Sequence, residues 1–255
     1  MGVPVTDGRW LSRYGKPVAR MESKVCLKRS FGDVNFGTAQ LGDPRRTRRL
    51  IQVANQMVRH PGGSLPHKVR NPADLFALYR LCKRKEVTHE AVLDPHRQVT
   101  LQRIEKHDGD VLILHDSTDI DYTKQKSLTE LGQIGNGFGR GYITHNSLAV
   151  DAKTGHVIGL TNQILHACPV VAKGETRAER RKRESRETLL WVEGTTGLPG
   201  NRKLIDVVDR GGDTFEFIEH EIRSGRRFVI RTKHDRSLVS GHAVPPPQRE
   251  TGAPG

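Results

Sequence analysis

Two aspartates each follow a short apolar run in the second half of the chain. Asp116 comes after VLILH, and Asp209 comes after KLIDVV. Sites in open α/β sheets collect beyond the carboxyl ends of strands, so neighbouring strands would bring these two carboxylates together. Paired carboxylates suit Mg²⁺ or Mn²⁺, and such ions can activate water for attack on a phosphodiester. Aspartate also caps turns after strands, and this alternative interpretation predicts no metal.

More oxygen-bearing side chains follow the first aspartate in the stretch LHDSTDIDY: Ser117, Thr118, Asp119 and Asp121. The stretch is compatible with a solvated loop and with a metal site at the end of a buried strand. Together with Asp213, its later aspartates are the acids that a standalone metal-dependent nuclease would use. A standalone nuclease of this kind is one of three functional alternatives for the chain.

Several arginines occupy the first turns of a predicted helix: Arg45, Arg46, Arg48 and Arg49. Positive charge at a helix N-terminus opposes the helix dipole, so this placement is unfavourable unless an anion binds nearby. Guanidinium groups bind DNA phosphates and guanine edges. The cluster therefore favours a nucleic-acid contact over a solvated helix face.

The overall charge agrees with a polyanionic partner. The 255 residues carry a formal net charge of +13, and the sequence pI is about 10.0. Dispersed lysine and arginine side chains bind the phosphate backbone of nucleic acids, so double-stranded DNA is the leading candidate. Three widely spaced cysteines without a Cys-x-x-Cys motif indicate reduced thiols and argue against a zinc site. No apolar stretch has the length of a membrane span.

The helices that would carry the arginines lie in residues 31–107. One helix begins at Asp43 as N-cap with Pro44 in the first turn, and a second begins at Asn71. A third is expected to begin at Thr88 and a fourth to cover His96 to Lys106. This segment is therefore expected to form a helical domain.

Residues 108–238 have the pattern of a mixed α/β sheet in the order β-β-β-α-β-α-β. The first strand, VLILHD, is continuously apolar up to its last two residues, which is typical of a buried strand. Two further strands are joined by a turn at Ala152 to Gly155. A charged helix, ETRAERRKRESRETLLWVE, precedes a strand-helix-strand unit that runs from KLIDVV to RFVIRT.

The glycine-rich stretch GQIGNGFGRGY, residues 132–142, is not a phosphate-binding loop. It has no Gly-Lys-Ser or Gly-Lys-Thr and does not open a helix after a strand. We expect a flexible loop that leads into the hairpin. His145 follows this stretch and could approach the acidic site, although a lone histidine is more often structural.

Several segments, taken together and in order, resemble IS4-family transposases of the Tn5 type. They lie between about Phe31 and Leu238 and comprise LGDPRRTRRL, HPGGSLP, LHDSTDIDY, GRGYITHNSLAV and VVDRGGDTFEFI. The resemblance implies an N-terminal helical DNA-binding domain and an RNase H-like core. It also implies an Asp-Asp-Glu triad that uses Mg²⁺ to cut and rejoin transposon ends.

The resemblance assigns roles to individual residues. Asp116 and Asp209 match the first and second aspartates of the triad, which are its catalytic and metal-binding residues. The positions that match end-binding arginines are Arg45, Arg46 and Arg49. Further basic residues are expected near the DNA, in the Asp-Arg-x-x-Asp pattern and after the strand that follows it: Arg210, Arg231 and Lys233.

The chain departs from the family pattern at the third acid. The family's glutamate lies on a helix well beyond the second aspartate, in a Tyr-x-x-Arg setting that this sequence lacks. We therefore expect an incomplete RNase H-like core in a C-terminally truncated transposase, with a flexible arm at 1–30. The tail at 239–255 is expected to be disordered or frameshifted.

The missing acid leaves two readings of function. The first is a transposase lineage that binds transposon ends but cleaves little or no DNA. The second is a non-catalytic DNA-binding fragment that interferes with a full-length transposase, which would then be a second partner. Both predict a protein of the bacterial cytoplasm, associated with the nucleoid and not with a membrane.

Overall fold

The computed structural model describes residues 29–233, except for 136, 170–173, 177–178, 180–181, 183–185 and 201–202. The chain divides into two units, Met1–Ser30 and Phe31–Gly255, and the fold below is that of the second. The predicted tail at 239–255, and all but two residues of the predicted arm at 1–30, lie outside the described residues. Much of the predicted charged helix lies outside them as well.

Five helices form the first part of this unit: α1 (Phe31–Phe36), α2 (Pro44–Arg59), α3 (Leu65–Lys68), α4 (Pro72–Cys82) and α5 (His89–Glu105). The predicted N-caps Asp43, Asn71 and Thr88 are confirmed. Each side chain accepts a hydrogen bond from a backbone N–H in the first turn of its helix. These bonds satisfy N–H groups that have no partner inside the helix, which is why the helices begin at these residues.

The prediction of separate helices from Thr88 and from His96 is wrong. A single helix, α5, runs through Pro95, which lies inside it. A proline in this position lacks one backbone hydrogen bond but does not end the helix, because tertiary packing holds both halves. His96 accepts a hydrogen bond from the backbone N–H of Leu160 through Nε2, and Arg97 donates to the carbonyl of Thr161.

A small apolar cluster joins helices α2, α3 and α4. Val53, Val69 and Leu78 are buried together, and Met57 and Leu75 pack against them. This cluster fixes α4 beside α2, so that the arginine-rich start of α2 lies next to the polar face of α4.

The second part is a six-stranded mixed sheet. Its strands are β1 (Val111–Asp121), β2 (Gly132–Ile134), β3 (Gly139–Asp151), β4 (Val157–His166), β5 (Leu204–Val208) and β6 (Arg227–Ile230). β3 is antiparallel to β1, β2 and β4, whereas β1, β5 and β6 run parallel to one another. The predicted mixed α/β architecture with N-terminal helices is confirmed.

The first strand is longer than the sequence predicted. β1 continues past Asp116 to Asp121, because its polar second half still pairs with residues Gly141 to His145 of β3. Its parallel pairing with β5, however, ends at His115 opposite Val208. Asp116 therefore lies at the end of the parallel ladder but in the middle of the strand.

The glycine-rich stretch is not a flexible loop but contains β2 and the start of β3, which makes one strand more than predicted. Gly141 shows why glycine is needed there. A Cβ at this position would lie 1.9 Å from the carbonyl oxygen of Ile120 on the neighbouring strand. The glycine allows β1 and β3 to approach each other closely along their distal halves. The predicted hairpin turn after Asp151 is confirmed.

One face of the sheet is covered by helices, and we call it the inner face. α5 contributes Ile104, which is buried with Val111, Ile113, Ala149 and Leu204. Toward the far end of the sheet, two further helices, α6 (Leu190–Gly194) and α7 (Phe215–Ser224), add Trp191 and Phe217 to a second cluster with Val208. The outer face carries the alternate residues of each strand, which are half-buried or exposed in β1, β5 and β6.

This alternation predicts unequal costs for two neighbouring substitutions in β1. Ile113 is 0% exposed on the inner face, so Ile113→Ala should lower the free energy of unfolding by about 2–5 kcal/mol. Leu114 is only partly buried on the outer face, so Leu114→Ala should cost roughly 1–2 kcal/mol. Urea denaturation of both variants measures the difference. Equal costs would contradict the assignment of the two faces.

Candidate nucleic-acid interface and carboxylate pair

The β1–β5 ladder brings the two predicted carboxylates together. The last paired residues are His115 and Val208, so Asp116 and Asp209 are each the next residue along adjacent parallel strands. Successive side chains of a strand point to opposite faces. His115 and Val208 are buried on the inner face, and both aspartates therefore belong to the outer face, where both are exposed.

Each carboxylate already makes one local hydrogen bond. Asp116 accepts from the Thr118 hydroxyl at 3.1 Å, and Asp209 accepts from the backbone N–H of Gly211 at 2.8 Å. Asp209 is the N-cap of the 3₁₀ turn Arg210–Gly212, so the turn-capping interpretation is correct for this residue. One oxygen of each carboxylate has no partner among the described residues, which suits a hard cation.

Two of the three remaining candidate acids are engaged in other hydrogen bonds. Asp121 accepts from both the N–H and the hydroxyl of Thr123, and these bonds hold the pKa of its carboxyl below the usual value. Asp213 is buried, and its carboxylate accepts from the backbone N–H of Lys233 at 2.6 Å. Asp119 is exposed in the distal half of β1. The described part of the chain contains no group of three or more potential metal ligands.

The predicted basic residues of the core gather around the second aspartate. Arg210 lies in the turn that Asp209 caps. The backbone N–H of Arg231 donates to the carbonyl of Val208, and Lys233 is held by Asp213. All three side chains are exposed at the same end of the sheet as the carboxylates. They therefore place three positive charges at this end of the sheet.

A buried polar network lies on the inner face, directly behind the carboxylates. His115 donates through Nε2 to the carboxylate of Asp206 at 2.8 Å, and both side chains are 0% exposed. Arg226 donates two hydrogen bonds to the other oxygen of Asp206, at 2.9 and 2.8 Å. Burial acts to raise the pKa of Asp206, but the His115 hydrogen bond and the Arg226 charge outweigh it and keep the pKa below its usual value.

The network continues into β3 and α6. The Ser147 hydroxyl lies 3.0 Å from His115 Nδ1 and also donates to the carbonyl of Gly194. His145 bonds to Ser117 through Nδ1 and stacks on His115. Burial lowers the pKa of His145 to about 3, so this histidine is neutral and structural at the inner face and does not reach the acidic site.

Glu221 of α7 completes the network with an unusual ionisation. It is 0% exposed, neither carboxyl oxygen has a hydrogen bond among the described residues, and Oε2 lies 3.5 Å from Arg226 Nε. Burial, and then the charge of Asp206, raise the pKa of Glu221 to about 8, although Arg226 opposes the shift. Glu221 is therefore largely protonated at neutral pH.

The arginines of α2 differ in their surroundings. Arg46 donates to the carbonyl of Leu41 at 2.8 Å and pairs with Glu86 at 3.0 Å. Arg49 pairs with Asp74, and the hydrogen bond from Arg49, followed by one from Gln56, lowers the pKa of that carboxyl. Arg45 is exposed and has no such partner among the described residues. The resemblance implied one role for all three, but only Arg45 is unpaired.

A groove between α2 and α4 holds additional arginines. It has a volume of about 500 Å³ and is lined by Arg45, Arg46 and Arg49 from α2 and by Arg80 and Arg84 from α4 and the residues after it. The N-cap Asp43 also lines it. Reasoning from the sequence did not single out Arg80 and Arg84. The available signal was their i, i+4 spacing, which places two arginines on the same side of the segment that packs on α2.

The family comparison agrees with the position of this groove. Residues 28–87 match the family model of transposase DNA-binding domains. The match contains α1 to α4 and all five groove arginines, and it supports a transposase whose partner is DNA. In the described ranges, no helix is both long and apolar enough to cross a membrane.

The raised pKa of Glu221 predicts how stability depends on pH. Between the ordinary value of 4.5 and about 8, the folded protein retains a proton that the unfolded chain has released. Stability should therefore fall as the pH rises through this window, by at most about 1.4 kcal/mol per pH unit. His145 gives the opposite slope, but only below its ordinary pKa of 6.5. The lowered pKa values of His96 and His220 act in the same direction as that of His145. These histidine contributions fade above 6.5, so Glu221 sets the downward slope toward pH 8.

Urea denaturation at closely spaced pH values tests this dependence. The wild-type protein should lose stability from pH 6.5 to 8, and Glu221→Gln should remove most of that loss. Glu219→Gln on the same helix is the matched control, because Glu219 is half-exposed and pairs with Arg223 at the surface. A wild-type slope retained in Glu221→Gln would mean that another group titrates.

Proposed function

We propose that the chain binds transposon-end DNA through the helical segment at 28–87 and derives from IS4-family, Tn5-like DDE transposases. The observation that carries the proposal is the match of this segment to transposase DNA-binding domains. Two further features support it. The segment exposes an arginine-lined groove, and the motifs that resemble the IS4 family continue through the sheet in the same order.

We further propose that the sheet is an RNase H-like core. The antiparallel strands β4, β3 and β1 continue into the parallel strands β5 and β6, which is the arrangement expected of such a core. β1, the third strand along this arrangement, carries Asp116, and β5, the fourth, is followed directly by Asp209. The position of both acids directly after the last pair of the parallel β1–β5 ladder supports their assignment to a DDE site.

Asp116 and Asp209 are the residues that would hold Mg²⁺ or Mn²⁺. Both are exposed, both belong to the outer face, and each retains a free carboxylate oxygen. A bound divalent ion would supply Lewis-acid stabilisation of a phosphodiester and activation of water. The protein itself would orient the DNA backbone with Arg210, Arg231 and Lys233. His115 and Asp206 would keep the two strands in register behind the site.

The proposed site has two carboxylates, whereas the resemblance implies a triad of three acidic residues. A hard divalent pair needs bridging oxygens and enough negative charge to hold the ions close together. We therefore propose weak metal binding and little or no strand cleavage by this 255-residue chain. Phosphate oxygens of bound DNA would provide part of the missing charge, so metal binding is expected to be strongest in the DNA complex.

The lack of a third acidic residue favours a second candidate function. A chain that binds transposon ends without cleaving them would compete with a full-length transposase, and that enzyme is the partner this candidate implies. The third alternative, a standalone nuclease that uses other carboxylates such as Asp119, Asp121 or Asp213, is less favoured. Asp213 is buried and bonded to the Lys233 backbone, and Asp121 is directed to Thr123.

Gel shifts with the inverted repeats that flank the gene test the proposed function. Binding should occur with and without Mg²⁺, because arginine contacts to phosphate do not need the metal. Incubation with Mg²⁺ or Mn²⁺ should produce little nicking. Asp116→Asn should bind DNA as tightly as the wild type, or more tightly, because a like charge is removed from the path of the phosphates.

The outcomes separate the alternatives. Failure to bind any duplex would reject the DNA-binding proposal. Robust Mg²⁺-dependent nicking that both Asp116→Asn and Asp209→Asn abolish would reject the inactive reading and require a further acid within the chain. Nicking that survives both substitutions and is lost in Asp119→Asn would favour the standalone nuclease.

A further inference from the structure

The groove between α2 and α4 contains two kinds of arginine. Arg46 and Arg49 are neutralised by Glu86 and Asp74, and their guanidinium groups are held in place by these carboxylates. Arg45, Arg80 and Arg84 line the same groove and have no ion-pair or hydrogen-bond partner for their side chains among the described residues. The sequence alone does not distinguish the two kinds.

The unpaired arginines are positioned to meet an anion. All three are exposed, whereas the side chains of Arg46 and Arg49 are only 24% and 30% exposed. Like charges that line one groove repel one another, and the single unpaired carboxylate of the lining, the N-cap Asp43, faces three unpaired arginines. Arg45 also lies in the first turn of α2, where the helix dipole adds to the unfavourable potential. A bound polyanion removes each of these costs.

The shape and floor of the groove favour a phosphodiester backbone over a small anion. Its volume of about 500 Å³ exceeds that of a single phosphate, and the apolar residues Ala77 and Leu81 form part of its floor. Arginines contributed by two neighbouring elements can contact successive phosphates of one strand, and each guanidinium offers paired donors to a phosphate. Contacts of this kind fix the register of a protein on DNA without reading its sequence.

We propose that Arg45, Arg80 and Arg84 form a phosphate-backbone clamp for duplex DNA, whereas Arg46 and Arg49 are positioning residues. Arg49 joins α2 to Asp74 of α4, and Arg46 joins α2 to Glu86 in the segment after α4. The inference rests on the proposed DNA-binding function and specifies which side chains perform it. It adds Arg80 and Arg84 to the residues that contact DNA. It also predicts that Arg46 and Arg49, which the resemblance indicated as DNA-binding, do not contact DNA directly.

The salt dependence of DNA binding distinguishes direct contacts to phosphate groups from general electrostatic attraction. Fluorescence anisotropy would measure affinity for a short random-sequence duplex between about 50 and 200 mM salt. Arg45→Ala, Arg80→Ala and Arg84→Ala should each weaken binding about tenfold and reduce the salt slope by about 0.9. Arg59→Ala is the matched control. It removes the same charge from α2, about 21 Å along the helix from Arg45, and should leave the slope nearly unchanged.

A charge-neutral variant tests the positioning role. The double substitution Arg49→Ala with Asp74→Ala deletes an ion pair without changing net charge. It should lower the melting temperature but leave the salt slope at the wild-type value. A slope reduced by about 0.9 would show that Arg49 contacts phosphate and would overturn its assignment.

The proposal also requires that the loss of affinity is the same for all DNA sequences. The clamp predicts that Arg80→Ala weakens binding to the flanking repeats and to scrambled duplexes by the same factor. A loss confined to the repeats would mean that Arg80 reads base edges. If Arg80→Ala or Arg84→Ala fails to fold by circular dichroism, Arg80→Gln and Arg84→Gln, which keep the Cβ to Cδ stem and a polar end without the charge, serve instead.

The inference and the function it rests on fail differently. If wild-type protein binds no duplex, the proposed function itself is rejected. If wild-type protein binds but Arg80→Ala and Arg84→Ala behave like Arg59→Ala, the clamp is rejected and DNA binding stands. Equal effects of all arginine substitutions, including Arg59→Ala, would likewise replace the clamp by diffuse electrostatic attraction.

Discussion

The buried hydrogen bond between His115 and Asp206 is the interaction on which the rest of the sheet depends. It joins β1 to β5 on the inner face at 2.8 Å. Asp116 follows His115 directly, and Asp209 lies three residues beyond Asp206. A slip of one residue between the two strands would break this bond and would turn one carboxylate to the other face. The inner-face network therefore sets the geometry of the outer-face pair.

The network also explains why buried charge is tolerated near the middle of the sheet. Asp206 is satisfied by His115 on one side and by two donors of Arg226 on the other. Glu221 approaches the same arginine and avoids a second uncompensated negative charge by retaining its proton. Breaking a network of this kind at one partner leaves a buried ion, which is far more costly than removing an exposed pair. Specific register and pH-dependent stability are two consequences of the same contacts.

The sequence predicted some features well because they depend on local chemistry. Asp43, Asn71 and Thr88 cap helices by hydrogen bonds to residues only two or three positions away. The length of β1 was missed, because its polar half is held by β3 and not by its own hydrophobicity. The glycine stretch was mistaken for a loop, since only the close approach to Ile120 shows why Gly141 is in a strand. Arg49 also differs from Arg45, because Arg49 pairs with Asp74. That partner is 25 residues away in the sequence, so only the three-dimensional structure reveals the difference.

The pairing of Asp116 with Asp209 across β1 and β5 can be tested directly by cross-linking. Asp116→Cys with Asp209→Cys would be prepared in a background where Cys26, Cys82 and Cys168 are serine. Adjacent parallel strands lie about 4.8 Å apart, within the range that a disulfide can bridge. Mass spectrometry after mild oxidation should show an intramolecular disulfide in this variant and none in the control Asp116→Cys with Val208→Cys, whose side chains belong to opposite faces. A reduced first variant, or equal cross-linking in the control, would contradict the shared carboxylate site.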